Sequence, residues 1–230
     1  MGKTDLCIRL AHLFSAPIVN ADSRQVYREM KIGTARPDEA ELAQARFYFV
    51  GNLSITDYYS AARYEQDALR LLAELFRTSD YVILSGGSMM YVDAVVKGID
   101  DIPTVPDDIR AEMKQRLESE GLEALGDELK RLDPEYHAIV DLKNPRRVLH
   151  ALEICHSTGR TYTSFRVRAC KPRPFNIIKI GLNIPRPRLF ERINGRVDKM
   201  IAEGLVDEAR ELYPQRGLTA LNTVGYNEMF

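Results

Sequence analysis

The chain has 230 residues, 45% hydrophobic and 28% charged, with a net charge of −1. That balance excludes a disordered chain and supports a globular protein of one or two domains. No apolar run approaches the ~18 residues of a membrane-spanning helix, and the first residues lack a signal-peptide pattern, so no membrane association and a cytoplasmic location are expected. Cys7, Cys155 and Cys170 are scattered, and His12, His137, His150 and His156 lack metal-ligand spacing, which argues against a disulfide framework or a zinc site.

Leu6, Ile8, Leu10, Ala11 and Leu13 predict a helix over Thr4–Phe14. Before it stands Gly2-Lys3-Thr4, which looks like the last three positions of a phosphate-binding loop of the kind used for ATP and other nucleotides, although three such residues also arise by chance. The earlier glycine and the strand of a complete loop are not in the sequence. In such a loop the lysine offers charge to phosphate, the threonine hydroxyl ligates Mg²⁺ and the helix N-terminus adds its dipole. Pro17–Ala21 then reads as a strand delivering Asp22, with Ser23, Arg24 and Gln25, to the strand end where ligands bind in open α/β sheets. Asp-Ser is equally ordinary as a turn or a helix cap, so both readings stand on these residues alone.

Further along, a short helix over Glu39–Ala45, a strand over Arg46–Val50 and a helix over Ser60–Phe76 are predicted, the last from Ala61, Tyr64, Ala68, Leu71, Leu72 and Leu75. Tyr81–Leu84 reads as a buried strand that turns through Gly86-Gly87-Ser88 into a helix containing Tyr91, Ala94 and Val95. The two glycines suit the steric demands of a tight turn. Alternating strands and helices predict an α/β fold with a parallel sheet covered on both faces.

Pro103 and Pro106 mark a boundary, and Asp107–Gly159 carries only helical periodicity, so residues 105–172 form an all-helical insertion between core segments 1–104 and 173–230. Its first helix starts at Asp107-Asp108, Gly121 and Gly126 punctuate the next connection, and Asn144-Pro145 opens another helix with Arg146, Arg147 and His150 on its polar face. After Pro172 and Pro174, Ile177–Leu182 reads as a strand returning to the sheet. A helix over about Arg188–Glu203 follows, with Arg192 and Arg196 on one face.

Charge is uneven: Asp107–Asp141 holds eleven acidic residues against five basic, whereas Lys143–Arg173 holds eight basic against Glu153 alone. The basic run suggests a polyanion partner, favoured because Arg160, Arg166, Arg168, Lys171 and Arg173 are interleaved with Tyr162, Phe165 and Phe175. The alternative is a solvated helix face carrying surface ion pairs.

Taken together, Gly2-Lys3-Thr4, Ala21-Asp22-Ser23-Arg24-Gln25-Val26-Tyr27, Ile32-Gly33-Thr34-Ala35-Arg36-Pro37, Gly86-Gly87-Ser88, Pro145-Arg146-Arg147 with Ala151-Leu152-Glu153, and Thr223-Val224-Gly225-Tyr226 resemble the bacterial tRNA dimethylallyltransferases (tRNA isopentenyltransferases) along nearly the whole chain. The resemblance implies a P-loop NTPase-like core with a tRNA-binding helical insertion. It further implies transfer of a dimethylallyl group from its diphosphate to N6 of the adenosine 3′ of the tRNA anticodon, with Mg²⁺, by a monomer. On that basis Asp22 is the candidate base, Thr4 and Arg196 complete the catalytic set, and Gly2, Lys3, Thr4 and Arg196 hold the diphosphate, with Mg²⁺ on Thr4. The tRNA set is Asp22, Ser23, Arg24, Gln25, Ser88, Arg110, Arg146, Arg147, Val148, Leu149, His150, Asn222, Thr223, Val224, Gly225, Tyr226 and Asn227.

Ser88 replaces the family's usual threonine, His150 a more frequent arginine, and Phe47 a usual histidine. The absent first strand and a stop at Phe230 inside an expected helix make truncation at both ends the expectation. Two other functions compete: a P-loop kinase acting with ATP on a small molecule or nucleotide, and an inactive tRNA-binding fragment.

Overall fold

The computed structural model describes residues 2–167 and 170–230. They fall into two compact units, one of residues 1–98 and 172–230 and the other of residues 99–171. Among the described residues no helix is long and apolar enough to cross a membrane.

In the first unit the chain runs α1 (Lys3–Phe14), β1 (Ile18–Asn20), α2 (Glu39–Leu42), β2 (Phe47–Tyr48), α3 (Ala61–Leu75), β3 (Ile83–Ser85) and α4 (Met89–Val96). The strands pair in parallel in the order β2-β1-β3, with Ile18 opposite both Phe47 and Ile83. Alternation along each strand sends neighbouring side chains to opposite faces. Ile18, Phe47 and Ile83 accordingly meet Cys7, Ile8 and Ala11 of α1, while Val19, Tyr48 and Leu84 meet Tyr64, Ala68 and Leu72 of α3 and Tyr91 and Val95 of α4. Central β1 is buried throughout, whereas β3 is only half-buried, contrary to the expected buried strand.

Helix α3 begins where the Ser60 side chain accepts from the Arg63 amide, satisfying one of the first-turn N–H groups. Tyr64 stacks on Tyr91 at a 4.3 Å centroid distance and donates its hydroxyl to the Asn20 carbonyl at 2.9 Å. The largest contribution here is apolar burial, about 1.5–3 kcal/mol per large side chain. Leu13 of α1, counted in the predicted apolar stripe, is exposed.

Helices α8 (Arg186–Ala202) and α9 (Leu205–Leu212) close this unit's chain. Ala209 and Leu212 of α9 join Val26, Tyr27, Met30, Ile55, Leu221 and Tyr226 in a further cluster that packs the segment after β1 against the residues after α9. The strand expected at Ile177–Leu182 does not form. That run pairs with no strand among the described residues, and Ile178 and Ile180 are 81% and 67% exposed. Apolar alternation marks a residue set suited to a pleated face, but a strand exists only where its backbone finds an edge to bond.

In the second unit, α5 (Asp107–Leu132), α6 (Pro134–His137) and α7 (Pro145–Thr158) enclose Met113, Leu125, Leu129, Tyr136, Val148, Ala151 and Leu152. Gly121 breaks α5 with φ 83°. In a straight helix Arg116 and Glu128 would lie about 18 Å apart along the axis. Their 2.7 Å ion pair therefore shows that α5 folds back on itself at Gly121. Gly126, expected in a connection, instead sits inside α5, buried near Leu142.

Candidate active site

Lys3, Thr4, Asn20, Asp22, Gln25, Pro37, Ser85, Gly86 and Gly87 line one cleft beyond the ends of β1 and β3. Parallel pairing places both strand ends on the same side, which is why two segments distant in sequence meet there. The Lys3 ammonium donates to the Gly86 carbonyl at 3.1 Å. Gly86 must be glycine, because a Cβ would overlap the Ala21 backbone.

Asp22 forms the expected turn and also lines the cleft. Its Oδ1 accepts from the Arg24 amide at 3.0 Å and the Gln25 amide at 3.4 Å, forming the expected turn. Its Oδ2 faces Gly87, whose Lys3-facing side completes the cleft wall. One oxygen shapes the loop, and the other lies against Gly87, which lines the cleft beside Asp22.

The neighbours of Asp22 are committed to the protein. Ser88 Oγ accepts from the Ser23 amide at 2.8 Å and lies 2.9 Å from Ser23 Oγ. Arg24 donates to the carbonyls of Thr219, Ala220 and Asn222, so its guanidinium organises the loop. Gln25 Nε2 donates to the Thr34 and Ala35 carbonyls, each at 3.0 Å. Within the Asn222–Asn227 segment, Asn227 donates to Asn222 Oδ1, the Gly225 amide donates to Glu228, and Val224 and Asn227 are exposed while Thr223 is half-buried. Tyr226 is wholly buried and bonds Glu208 at 2.6 Å; burial and that bond push its phenol well above the usual tyrosine range.

Arg196 is exposed on α8, and it is Arg192, one turn earlier, that approaches Gly2, with Nη1 3.8 Å from where a Cβ would stand. Their shared helix face was legible, but not which of the two comes nearer. Among the described residues no group of three or more His, Cys, Asp or Glu could hold a metal.

In the helical unit, Arg146 and Arg147 are exposed in the first turn of α7, whose Asn144 cap accepts from the Arg147 amide. His150 is exposed, with Nδ1 3.5 Å from Glu153 and its ring edge-on to Tyr162. Arg110 lies 3.8 Å from Asp107, and Leu149 is half-buried. Val148, assigned to the tRNA set, has its side chain buried in the helical core, as Tyr226 of the same set is buried in the core of the other unit.

The aromatic interleaving of the basic run also has an internal explanation. Arg160 covers Phe165 and Arg166 covers Tyr136 and Tyr162, with guanidinium-to-ring distances of 4.5, 4.9 and 5.7 Å. Lys171 pairs with Asp101 at 2.8 Å, and Phe175 stacks on Phe76. Arg173 is buried against Glu65 at 2.6 Å and donates to the Ala94 and Val95 carbonyls. Arg168 lies outside the described residues.

Comparison with known proteins gives a consistent result. The IPP transferase family model matches residues 25–230. The chain is 60% identical over its whole length to tRNA dimethylallyltransferase 1 of Phocaeicola vulgatus, covering 77% of that protein, and 58% identical to the Bacteroides thetaiotaomicron protein of the same name, covering 75%. The crystal structure of full-length tRNA isopentenylpyrophosphate transferase from Bacillus halodurans superposes with a TM-score of 0.64 at 35% identity, over 99% of this chain and 72% of that one. On these matches the chain belongs to the IPP transferase family.

Proposed function

We propose that this chain transfers a dimethylallyl group from dimethylallyl diphosphate to N6 of the adenosine 3′ of the anticodon in tRNA, releasing pyrophosphate. The observation that carries this reading is the cleft in which a phosphate-type Lys3 and Thr4 face a carboxylate, Asp22, held at a strand end. The relatives named for tRNA dimethylallyl transfer match the chain from end to end.

In this reaction the adenine amine attacks C1 of the donor as the allylic C–O bond breaks. Asp22 Oδ2 accepts the amine proton, and its partner Oδ1 keeps the carboxylate aligned through the turn amides. Charge grows on the departing pyrophosphate. Lys3 in the cleft, and Arg192 where α8 approaches Gly2, are the cations available to it. Mg²⁺ commonly binds through few protein oxygens plus substrate phosphates, and the Thr4 hydroxyl in the cleft suits that role. When bound there, the ion would neutralise pyrophosphate charge. Arg146, Arg147 and His150 present cationic or polar groups to the tRNA backbone, and the target base leaves its stack to reach Asp22. The protein acts as a cytoplasmic monomer.

Incubation with unmodified tRNA, Mg²⁺ and labelled dimethylallyl diphosphate should place the label on tRNA. Phosphoryl transfer from ATP to a small acceptor, without labelled tRNA, would replace this reading with a kinase.

A further inference from the structure

Glu208 projects from α9 into a set of donors. Its Oε2 accepts from the Lys31 amide at 2.9 Å, both oxygens accept from the Ile32 amide at 3.1 and 2.9 Å, and Oε1 accepts from the Gly33 amide at 2.9 Å. The Tyr226 hydroxyl is the fourth donor to the carboxylate and bonds Oε1 at 2.6 Å. Tyr226 lies so close to Gly33 that a Cβ there would stand 2.6 Å from its Cζ. Immediately after these amides, the Thr34 and Ala35 carbonyls hold the Gln25 amide at the cleft.

We propose that Glu208 is a positioning residue for the acceptor side of the cleft, fixing the Lys31–Gly33 backbone and the Tyr226 phenol as one piece and, through the Thr34 and Ala35 carbonyls, orienting Gln25 toward the tRNA. The inference rests on tRNA prenyl transfer as the reaction. Its chemistry is specific to a carboxylate: every partner is a donor, so both positions around Glu208 require acceptors. A glutamine has nearly the same shape but turns an N–H₂ toward at least one of those donors. Leaving part-buried donors unmatched costs enough to shift an affinity about tenfold. Lys3 and Thr4 do not touch this network, so the donor side should be spared.

The test compares wild type, Glu208→Gln, Gln25→Ala and the double variant. Glu208→Gln should raise KM for tRNA by about tenfold, leave KM for dimethylallyl diphosphate unchanged, and show no further loss when combined with Gln25→Ala. Equal rises in both KM values, or multiplicative losses in the double variant, would overturn the proposal. Should Glu208→Gln fail to fold, Tyr226→Phe, which keeps the ring and removes one donor, should raise the tRNA KM about threefold; an unchanged value overturns it. Two readouts do not depend on transfer: hydrogen exchange at the Ile32 and Gly33 amides and binding of an unmodified anticodon stem-loop. Faster exchange with weaker binding in Glu208→Gln supports the positioning role even if wild type transfers nothing, which would count against the reaction alone. Unchanged exchange or wild-type affinity rejects the role even if transfer is active.

Discussion

Gly87 lies against Asp22 so closely that a Cβ on it would stand 2.8 Å from Oδ2 of the carboxylate. The same Cβ would be 3.9 Å from the Lys3 ammonium. Gly87→Ala should therefore leave the fold intact, since a side-chain end can move, while displacing the base. A kcat loss of about 10²-fold is expected from such misplacement, measured by single-turnover transfer with donor and tRNA saturating. Gly86→Ala meets backbone and should prevent soluble expression.

Asp22→Asn separates the two duties of that side chain. An amide oxygen still accepts from the Arg24 and Gln25 amides, so the thermal midpoint should stay near that of wild type. Transfer should fall by about 10²–10⁴-fold because the amide accepts no proton, while tRNA binding persists. Full transfer by this variant would remove Asp22 as the base.

Arg173 and Glu65 have side chains only 8% exposed each and meet at 2.6 Å, so removing the guanidinium takes a buried charge-assisted contact from Glu65 and donors from the Ala94 and Val95 carbonyls. Arg173→Met should cost about 3–5 kcal/mol in urea unfolding, and adding Glu65→Leu should recover much of it. Equal stability of the single and double variants would contradict this account.

Exposed and self-engaged arginines should behave differently. Arg146→Ala and Arg147→Ala should each weaken tRNA binding and reduce the salt slope of log K by about 1. Arg166→Ala, which uncovers Tyr136 and Tyr162, should lower stability and leave that slope unchanged. Salt titrations beside melting curves distinguish the two outcomes.

Glu128 gives the helical unit a pH dependence. Burial pushes its carboxyl up, but hydrogen bonds and charge from Arg116 and His156 outweigh burial, and it titrates below the ordinary carboxylate range. A depressed folded-state value means stability that is present above the unfolded value and lost as pH falls through the folded one. Urea midpoints should therefore decline below about pH 4.3 more steeply in wild type than in Glu128→Gln.

The central sheet was legible because β1 and α3 obey their periods: Ile18 and Val19 part to opposite faces, and Tyr64, Ala68, Leu72 and Leu75 recur on one helix face. Asp22 was legible because a carboxylate after an apolar run has few local explanations, and the one it had, a turn, proved compatible with facing the cleft. Ile177–Leu182 misled because periodicity reports which side chains suit a sheet, not whether an edge awaits them. The roles of Arg160 and Arg166 were not separable in the sequence, because a basic-aromatic pattern serves RNA stacking and internal cation–π contact equally well. Glu208 gave no signal: an acid on the polar side of an amphipathic helix ordinarily faces water, and only tertiary structure surrounds it with amides.

Arg24 sits two residues after the candidate base and fastens its turn to a carbonyl 195 positions downstream. During synthesis, a ribosome will have released the first helix and the parallel strands long before that carbonyl leaves the exit tunnel. The loop after Asp22 then acquires these hydrogen bonds only once Thr219 has emerged, so nascent chains stalled before that residue should be folded around their sheet yet chemically silent.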